Sequence, residues 1–312
     1  MISESQIIQR YFSAFGRGDS VTLGIGDDAA ALRLPPGHEL VVSTDTQVAG
    51  RHFFPDALPE DVGYRVIAAA ASDLAAMAAA PVGMTLALTL PEIDELWLHS
   101  FSQGVGDAAT ALKLPLVGGD LTRGPLTISV TVMGSVPAQS LVCRDGAVAG
   151  DLLVVTGTLG DAACALAMLE GQLPDRSNCR EIDEAFFNTR FYRPSPRFEW
   201  LDWLREHAHA CIDISDGLLM DATRMAEASG VGLRLNPEAL PLSPNTHRQG
   251  EQQAIEWALT GGDDYELAIA VPPTCDIPQG MTVVGEFTAT TELQCPGVDV
   301  NQLGFDHFSG EN

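Results

Sequence analysis

The sequence predicts a protein of mixed α and β layers, in which helices cover sheets in two successive halves. Strand-like and helix-like segments alternate in both halves, which favours such layers over an all-helical or an all-β body. A turn-rich segment, PAQSLVCRDGAVAG, lies between the halves. We therefore expect an N-terminal α+β domain with a mixed sheet and covering helices at residues 1–137, followed by a C-terminal α/β domain at residues 138–312.

The elements of the first half follow from hydrophobic periodicity. Residues 40–48 and 82–90 are apolar and alternating, which is typical of strands, whereas 61–80 and 94–113 are Ala-rich with a helical period and begin with acidic residues. The run PLVGGDLTRGPLTISVTVMGSV then predicts two strands around a Gly-rich turn.

The second half repeats the passage from strand to helix. DLLVVTG predicts a strand that leads through GTLGD into a helix at about 161–171, and CIDIS leads in the same way into GLLMDATRMAEASG. Two further strands are predicted at YELAIAVP and MTVVGEF, and NQLGFDHFSGEN forms the tail.

Composition excludes several classes of protein. The 312 residues are 46% hydrophobic, which fits one large or two ordinary packed domains. A formal net charge of -25 opposes binding to nucleic acid or to an anionic membrane. Neither an apolar run of the roughly 18 residues that a membrane helix needs nor a basic leader is present, so we expect a soluble, cytoplasmic protein. The six cysteines have no zinc-like spacing.

Lys113 is the only lysine in the chain. A Walker A loop and a protein kinase both need a lysine on the nucleotide phosphates, and Lys113, in ALKLPLVGG, stands in neither context. Schiff-base chemistry has the same single, poorly placed candidate.

Aspartates recur where a strand ends or a helix begins, usually beside Gly, Ser or Thr. Clustered carboxylates are costly without counter-charge, and oxygen ligands select Mg²⁺ or Mn²⁺ over zinc. The set therefore predicts a magnesium site, and magnesium in turn suggests phosphates. Its members are Asp27, Asp28, Asp45, Asp73, Asp120, Asp213, Asp216, Asp263 and Asp264.

Strand geometry limits which of these groups can share a site. Since alternate residues face opposite sides, Asp27 and Asp28 cannot both enter one site if GIGDDAA is extended. Ser43 and Asp45 share a face, and Thr44 joins them only if the strand kinks at its end.

Each candidate also has a structural alternative. Asp73 and Asp216 could be helix N-caps. The glycine turns VGGD and GTLGD offer amides for phosphate, but GTLGD equally fits an ordinary strand-to-helix turn. Arg144, in CRDG, could contact phosphate or pair with Asp145.

Eight motifs, in order along residues 6–308, resemble the thiamine-monophosphate kinase family, in the superfamily that also holds aminoimidazole ribonucleotide synthetase. They are GIGDDAA, VVSTDTQVAGRHF, SDLAAMAA, LVGGDLTRG, VTGTLGD, DISDGL, LTGGDDYEL and GFDHF. The resemblance implies transfer of the ATP γ-phosphoryl group to thiamine monophosphate, several Mg²⁺ ions, and a homodimer formed through the N-terminal sheet.

The resemblance also implies roles for individual residues. The metal ligands would be Asp28, Ser43, Thr44, Asp45, Asp73, Asp120, Asp213 and Asp216. The ATP contacts would be Gly119, Asp120, Arg144 and Ser215. The thiamine substrate would be contacted by His52, Asp263 and Phe305.

Two positions depart from the family pattern. Asp263 stands where the family usually has Glu, one methylene longer, and Phe305 stands where it usually has Trp or Tyr. Phe305 keeps a ring that can stack on a cationic thiazolium but loses a polar hydrogen bond.

The chemistry is consistent with the absence of an evident general base in the motifs. A phosphate oxygen is already anionic at neutral pH, so positioning and charge stabilisation suffice for in-line transfer. Two other hypotheses stay open: a sibling ATP-dependent synthetase of the superfamily, and a magnesium-dependent nucleotide-binding protein without turnover.

Overall fold

The computed structural model describes residues 2–173, 179 and 181–297. The chain forms two compact units. The first comprises the residues up to Ala75 together with Ala79–Leu141, and the second comprises Ala76–Ala78 and the residues from Val142 onward. The predicted mixture of helices and sheets in both halves is confirmed.

The first unit contains a four-stranded sheet with the order β3-β6-β4-β5, in which β4 and β5 are parallel and the other neighbours are antiparallel. A short pair, β1 and β2, lies outside it. The elements are α1 (Glu4–Ile7), a π-helical turn (Ile8–Phe12), a 3₁₀ turn (Ser13–Phe15), β1 (Val21–Leu23), β2 (Ala31–Leu32), β3 (His38–Val48), α2 (Pro59–Ala76), β4 (Ala80–Leu90), α3 (Glu95–Ala111), β5 (Leu116–Arg123) and β6 (Thr127–Pro137).

The second unit contains, among the described residues, a six-stranded sheet with the order β12-β9-β11-β7-β10-β8, antiparallel except between β12 and β9. The helices and strands are β7 (Leu152–Thr156), α4 (Asp161–Leu169), α5 (Glu181–Tyr192), α6 (Leu201–His207), β8 (Ala210–Asp213), α7 (Leu218–Ser229), β9 (Gly232–Leu235), α8 (Pro244–His247), α9 (Glu251–Thr260), β10 (Leu267–Val271), β11 (Met281–Thr288) and β12 (Leu293–Gln294). The described residues of this unit also include two 3₁₀ turns, Phe198–Trp200 and Pro237–Ala239.

Burial explains the apolar strands of the second unit. Every residue of β10 is buried, and so is most of β7, because helices and turns cover this sheet. Leu153, Val155 and Ile212 pack with residues of α7 in one hydrophobic cluster. Strands β7 and β8 end in a polar residue, Thr156 and Asp213 respectively.

Helix α2 ends four residues earlier than predicted. Ala78 adopts a left-handed backbone with φ 54°, and the Ala79 amide donates to the Leu74 carbonyl at 2.8 Å, which closes the helix. Strand β4 then begins at Ala80. The Ala-rich sequence continues across this turn, so composition alone does not mark the boundary.

The predicted Gly-rich turn at VGGD is wrong, because these residues lie inside β5. The pairing of β4 with β5 shifts its register at Val117. A Cβ on Gly119 would lie 1.9 Å from the Leu86 carbonyl oxygen. Glycine is therefore required at 119 for the close approach of two strand backbones.

Candidate functional site

Three candidate metal ligands of the first unit lie on β3 and α2. Ser43 and Asp45 lie on the half-buried face of β3, as the period of two requires. The Ser43 hydroxyl donates to Asp73 Oδ2 at 2.5 Å, which brings a carboxylate of α2 to this face. Gln47 Nε2 donates to Asp45 Oδ2 at 3.3 Å. Ser43 and Asp73 are thus in contact between strand and helix, and Asp45 lies on the same face of β3 as Ser43.

Asp73 is not a helix N-cap, since α2 begins at Pro59 and ends at Ala76. It lies in the last turn, where the partial negative charge of the helix end disfavours a carboxylate. The helix gains no stability from an acid at this position, which favours a role in ligand binding.

Thr44 faces the other side of the sheet. Strand β3 pairs with β6 without interruption from His38 to Val48, so the kink that would turn Thr44 towards Ser43 is not found. Its hydroxyl is 2.8 Å from the Thr131 hydroxyl on β6. The structure therefore separates the Thr44 side chain from those of Ser43 and Asp45.

The remaining candidates of the first unit are more exposed. Asp27 and Asp28 are exposed, and the Asp28 amide donates to Asp27 Oδ1 at 2.8 Å. Asp120 is exposed on β5, next to Gly119. His52 is half-buried, and its Nδ1 accepts the Val48 amide at 3.1 Å, which holds the ring at the end of β3.

The second unit presents its candidates between β8 and α7. Asp213 ends β8 and is buried, and Ser215 and Asp216 follow in the loop before α7. Asp216 is not the N-cap of α7, because Gly217 occupies that position. Instead Arg224 Nη1 donates to Asp216 Oδ2 at 2.5 Å.

A buried carboxylate of α7 lies beneath this loop. Asp221 Oδ2 accepts the amides of Ser215 at 3.1 Å and Asp216 at 2.9 Å, and Arg224 donates to its Oδ1 at 2.9 Å. Burial raises the pKa of the Asp221 carboxyl to about 6, while the Asp216 amide and Arg224 oppose the rise.

The GGDDYEL motif packs its backbone against the same loop. The Asp263 amide donates to the Ser215 carbonyl at 2.8 Å, and the Tyr265 amide donates to the Ile214 carbonyl at 2.9 Å. Asp263 and Tyr265 both have positive φ, of 69° and 50°. The structure thus brings together Ser215 and Asp263, which the sequence assigned to different substrates.

Asp264 belongs to the aspartate set that predicts a magnesium site, but the motif resemblance gives it no specific role. Its Oδ2 accepts the Gly160 amide at 2.7 Å, at the N-terminus of α4. Burial raises the pKa of the Asp264 carboxyl to about 8, against the opposing effects of Arg190 and this amide. The GTLGD turn is therefore capped by a carboxylate of the chain itself, which favours its structural interpretation over phosphate binding.

Glu266 completes a buried ionic group behind the motif. It accepts hydrogen bonds from Thr156 Oγ1 at 2.6 Å, Arg197 Nε at 2.6 Å and Arg190 Nη2 at 3.0 Å. Arg190 also lies 3.4 Å from Asp161. These hydrogen bonds and ion pairs anchor the Glu266 side chain at the end of the motif.

Two candidates complete the account. Arg144 is exposed, and its carbonyl accepts the Ser229 hydroxyl at 3.3 Å. Phe305 and the GFDHF motif lie outside the described residues. Within the described ranges, no three His, Cys, Asp or Glu side chains are arranged to hold a metal ion by themselves, and no helix has the length and apolarity of a membrane span.

Comparison with known proteins identifies the class that this fold and these acidic sites define. Residues 26–136 match the family described as AIR synthase related protein, N-terminal domain, and residues 148–276 match AIR synthase related protein, C-terminal domain. The chain is 42% identical to the thiamine-monophosphate kinase of Escherichia coli (strain K12), with 98% of each chain covered.

Solved structures agree with this comparison. Thiamine-monophosphate kinase from Stenotrophomonas maltophilia K279a is 38% identical, with a TM-score of 0.81, over 89% of this chain and 92% of that one. AaThiL complexed with AMPPCP and TMP is 32% identical, with a TM-score of 0.81, over 88% and 89%. The chain belongs to the thiamine-monophosphate kinase family.

Proposed function

We propose that this protein transfers the γ-phosphoryl group of ATP to the phosphate of thiamine monophosphate, which yields thiamine diphosphate and ADP. The observation that carries the proposal is the contact of Ser43 with Asp73, together with the position of Asp45 on the same face of β3 as Ser43. These side chains provide hydroxyl and carboxylate oxygens on one face, in a chain whose relatives include a complex with AMPPCP and TMP.

The residues supply position and charge rather than a proton acceptor. A terminal phosphate oxygen of thiamine monophosphate attacks the γ-phosphorus, and the bond from that phosphorus to the bridging oxygen of ADP breaks. Because the attacking oxygen is already anionic, no residue has to remove a proton. Ser215 would contact ATP. Asp263, whose amide donates to the Ser215 carbonyl, would contact the thiamine substrate.

The donor set fits magnesium. It consists of carboxylate and hydroxyl oxygens, which Mg²⁺ prefers. Since no three acidic, His or Cys side chains of the described residues form a complete site, the bound phosphates would provide the remaining ligands. Bound there, Mg²⁺ would neutralise the charge of the two anionic substrates. The residues proposed to hold several Mg²⁺ ions are Asp28, Ser43, Thr44, Asp45, Asp73, Asp120, Asp213 and Asp216.

The other assignments form part of the same proposal. Residues 1–137 would form an ATP- and magnesium-binding α+β domain, and residues 138–312 a C-terminal α/β domain. Gly119, Asp120 and Arg144 would join Ser215 in contacting ATP. His52 and Phe305 would join Asp263 on the thiamine substrate. Thr44 has the least support, because its hydroxyl faces away from Ser43.

Association as a homodimer and a cytoplasmic location stay predictions. The exposed face of β3 carries Leu40 and Val42, which are 51% and 54% exposed. Two adjacent apolar side chains on a sheet face support pairing with a second copy of the chain. Light scattering of the wild type and of Val42→Lys tests this point, since the charge would oppose the association.

One assay tests the activity. Purified protein is incubated with ATP, Mg²⁺ and either thiamine monophosphate or thiamine, and thiamine diphosphate and ADP are quantified together. We expect diphosphate from the monophosphate alone and its loss with EDTA. ADP without diphosphate would instead indicate a sibling synthetase, and no ADP would indicate a nucleotide-binding protein.

A further inference from the structure

The loop that carries Ser215 and Asp216 is held through its main chain from two sides. On one side, the carbonyls of Ile214 and Ser215 accept the amides of Tyr265 and Asp263 at 2.9 and 2.8 Å. Because each peptide group is planar, the amides of Ser215 and Asp216 point away from these carbonyls and need an acceptor on the opposite side.

Asp221 provides that second support. Its carboxylate is only 1% exposed, and one oxygen accepts the consecutive amides of Ser215 and Asp216 at 3.1 and 2.9 Å. Charge-assisted bonds to an anion are stronger than those between neutral groups. This acceptor holds the same two peptide groups from the side opposite to their carbonyls, which positions the Ser215 and Asp216 side chains.

Arg224 extends this support to a side chain. Its Nη1 lies 2.9 Å from Asp221 Oδ1 and 2.5 Å from Asp216 Oδ2. The guanidinium is one turn along α7 from Asp221, so a rigid helix fixes both partners. The Asp216 carboxylate is thereby oriented by a cation that is itself anchored.

We propose that Asp221 is a positioning residue that holds Ser215 and Asp216 in the arrangement that binds magnesium and nucleotide, and that Arg224 connects it to the Asp216 carboxylate. The inference rests on the proposed function, which gives Ser215 and Asp216 these ligands. Neither Asp221 nor Arg224 belongs to the residues that motif resemblance assigned.

The main test compares Asp221→Ala with Asp221→Asn. The alanine variant removes the acceptor, and a displacement of the loop by about 1 Å is expected to raise the KM for ATP and the half-saturating Mg²⁺ about 10-fold or more. The KM for thiamine monophosphate should stay within about a factor of 2. Asp221→Asn retains one oxygen for both amides, so it should recover most of the ATP affinity.

Calorimetry gives a readout that does not require turnover. AMPPCP is titrated into each protein in the presence of Mg²⁺ and without the thiamine substrate. We expect Asp221→Ala to weaken the Kd by a factor similar to the rise in KM for ATP, and Asp221→Asn to restore it.

Asp183→Ala is the matched control. Asp183, on α5, is also a buried carboxylate, 2% exposed, that pairs with a partly exposed arginine, Arg248. Its loss should lower the Tm without changing the KM for ATP or the Kd of AMPPCP. Equal effects of Asp183→Ala and Asp221→Ala on these constants would overturn the inference.

Arg224→Gln covers the case in which Asp221→Ala does not fold, because the Arg224 side chain is 41% exposed. We expect it to raise the half-saturating Mg²⁺ several-fold and to leave the KM for thiamine monophosphate unchanged. An unchanged or lower Mg²⁺ requirement would overturn the role of Arg224. A wild type that binds AMPPCP but forms no thiamine diphosphate would refute the proposed function alone, and the calorimetric comparison would still decide the inference.

Discussion

The Tyr265 hydroxyl donates to Asp263 Oδ1 at 3.0 Å across a single intervening residue. Both residues adopt left-handed backbone conformations, which are uncommon for residues other than glycine. Tyr265 is buried, so the bond holds the shorter acid of this chain in a defined orientation. Where the motif resemblance implies Glu at position 263, this chain has the shorter Asp, which Tyr265 orients.

Tyr265→Phe is therefore expected to raise the KM for thiamine monophosphate about 10-fold, since hydrogen bonds to charged groups contribute roughly 1.5–3 kcal/mol. The KM for ATP should not change. Steady-state kinetics measure both constants. Tyr11→Phe, which removes a hydroxyl 3.4 Å from the Glu95 carbonyl in the first unit, is the control. If both constants rose equally, Tyr265 would support the whole loop rather than Asp263.

Asp45→Asn is expected to lower kcat about 100-fold or more, because it removes one charge from the proposed metal site and keeps the shape of the side chain. The matched control is Thr46→Val, next to Asp45 on the opposite face, where the Thr46 and Ser129 hydroxyls are 2.8 Å apart. Circular dichroism checks that both variants fold. Full activity of Asp45→Asn at ordinary Mg²⁺ would contradict the proposed site.

Asp264→Asn should change how stability depends on pH. The folded pKa is about 8 against an ordinary value of 3.8, so the folded state holds a proton that the unfolded state releases between these values. The unfolding free energy of the wild type therefore falls as pH rises through this window, by about 1 kcal/mol per pH unit from this group.

An asparagine has no proton to release, so the stability of Asp264→Asn relative to the wild type should increase from pH 5 to pH 8. Urea unfolding at several pH values measures the difference. Asp276→Asn, at an exposed position, controls for the loss of a charge. A difference that is constant across the range would mean that Asp264 is ionised in the folded protein throughout.

Gly119→Ala is expected to destabilise the first unit by about 1–3 kcal/mol or more, because its Cβ would overlap the Leu86 carbonyl oxygen on β4. Gly118→Ala is the control, since a Cβ there meets Thr85 Cγ2 at an ordinary 3.7 Å. Thermal unfolding compares the two variants. Similar Tm values would show that β5 can move away from β4 at little cost.

The fold class and most strands were predictable because local periodicity records which face is buried. The same rule correctly placed Ser43 and Asp45 on one face of β3. Periodicity does not record strand direction, so the antiparallel sheet of the second unit could not be derived from alternation. Helices α5 and α9 were missed because polar residues interrupt their apolar stripes.

The partners of the site residues were less accessible from sequence. Ser43 is hydrogen-bonded to Asp73, which lies 30 positions further along the chain, and Gly160 to Asp264, which lies 104 positions further. Only the tertiary structure creates these contacts. The sequence does contain one indication of Asp221, because it stands between Leu218 and Met225 on the buried face of α7. An acid on the apolar face of a helix is costly unless it has buried partners.

The pairing of β3 with β6 determines when the sheet of the first unit can form during synthesis. The described neighbour of β3 in the sheet is β6, and Thr44 meets Thr131 from 87 positions further along the chain. At about 5–20 residues per second, a ribosome needs several seconds to deliver that neighbour after β3 has been made. During this interval the nascent chain carries an unpaired strand that includes Leu40, Val41 and Val42. The first unit therefore completes its sheet only after nearly all of its own sequence has been translated, and before that point β3 is a candidate segment for chaperone binding.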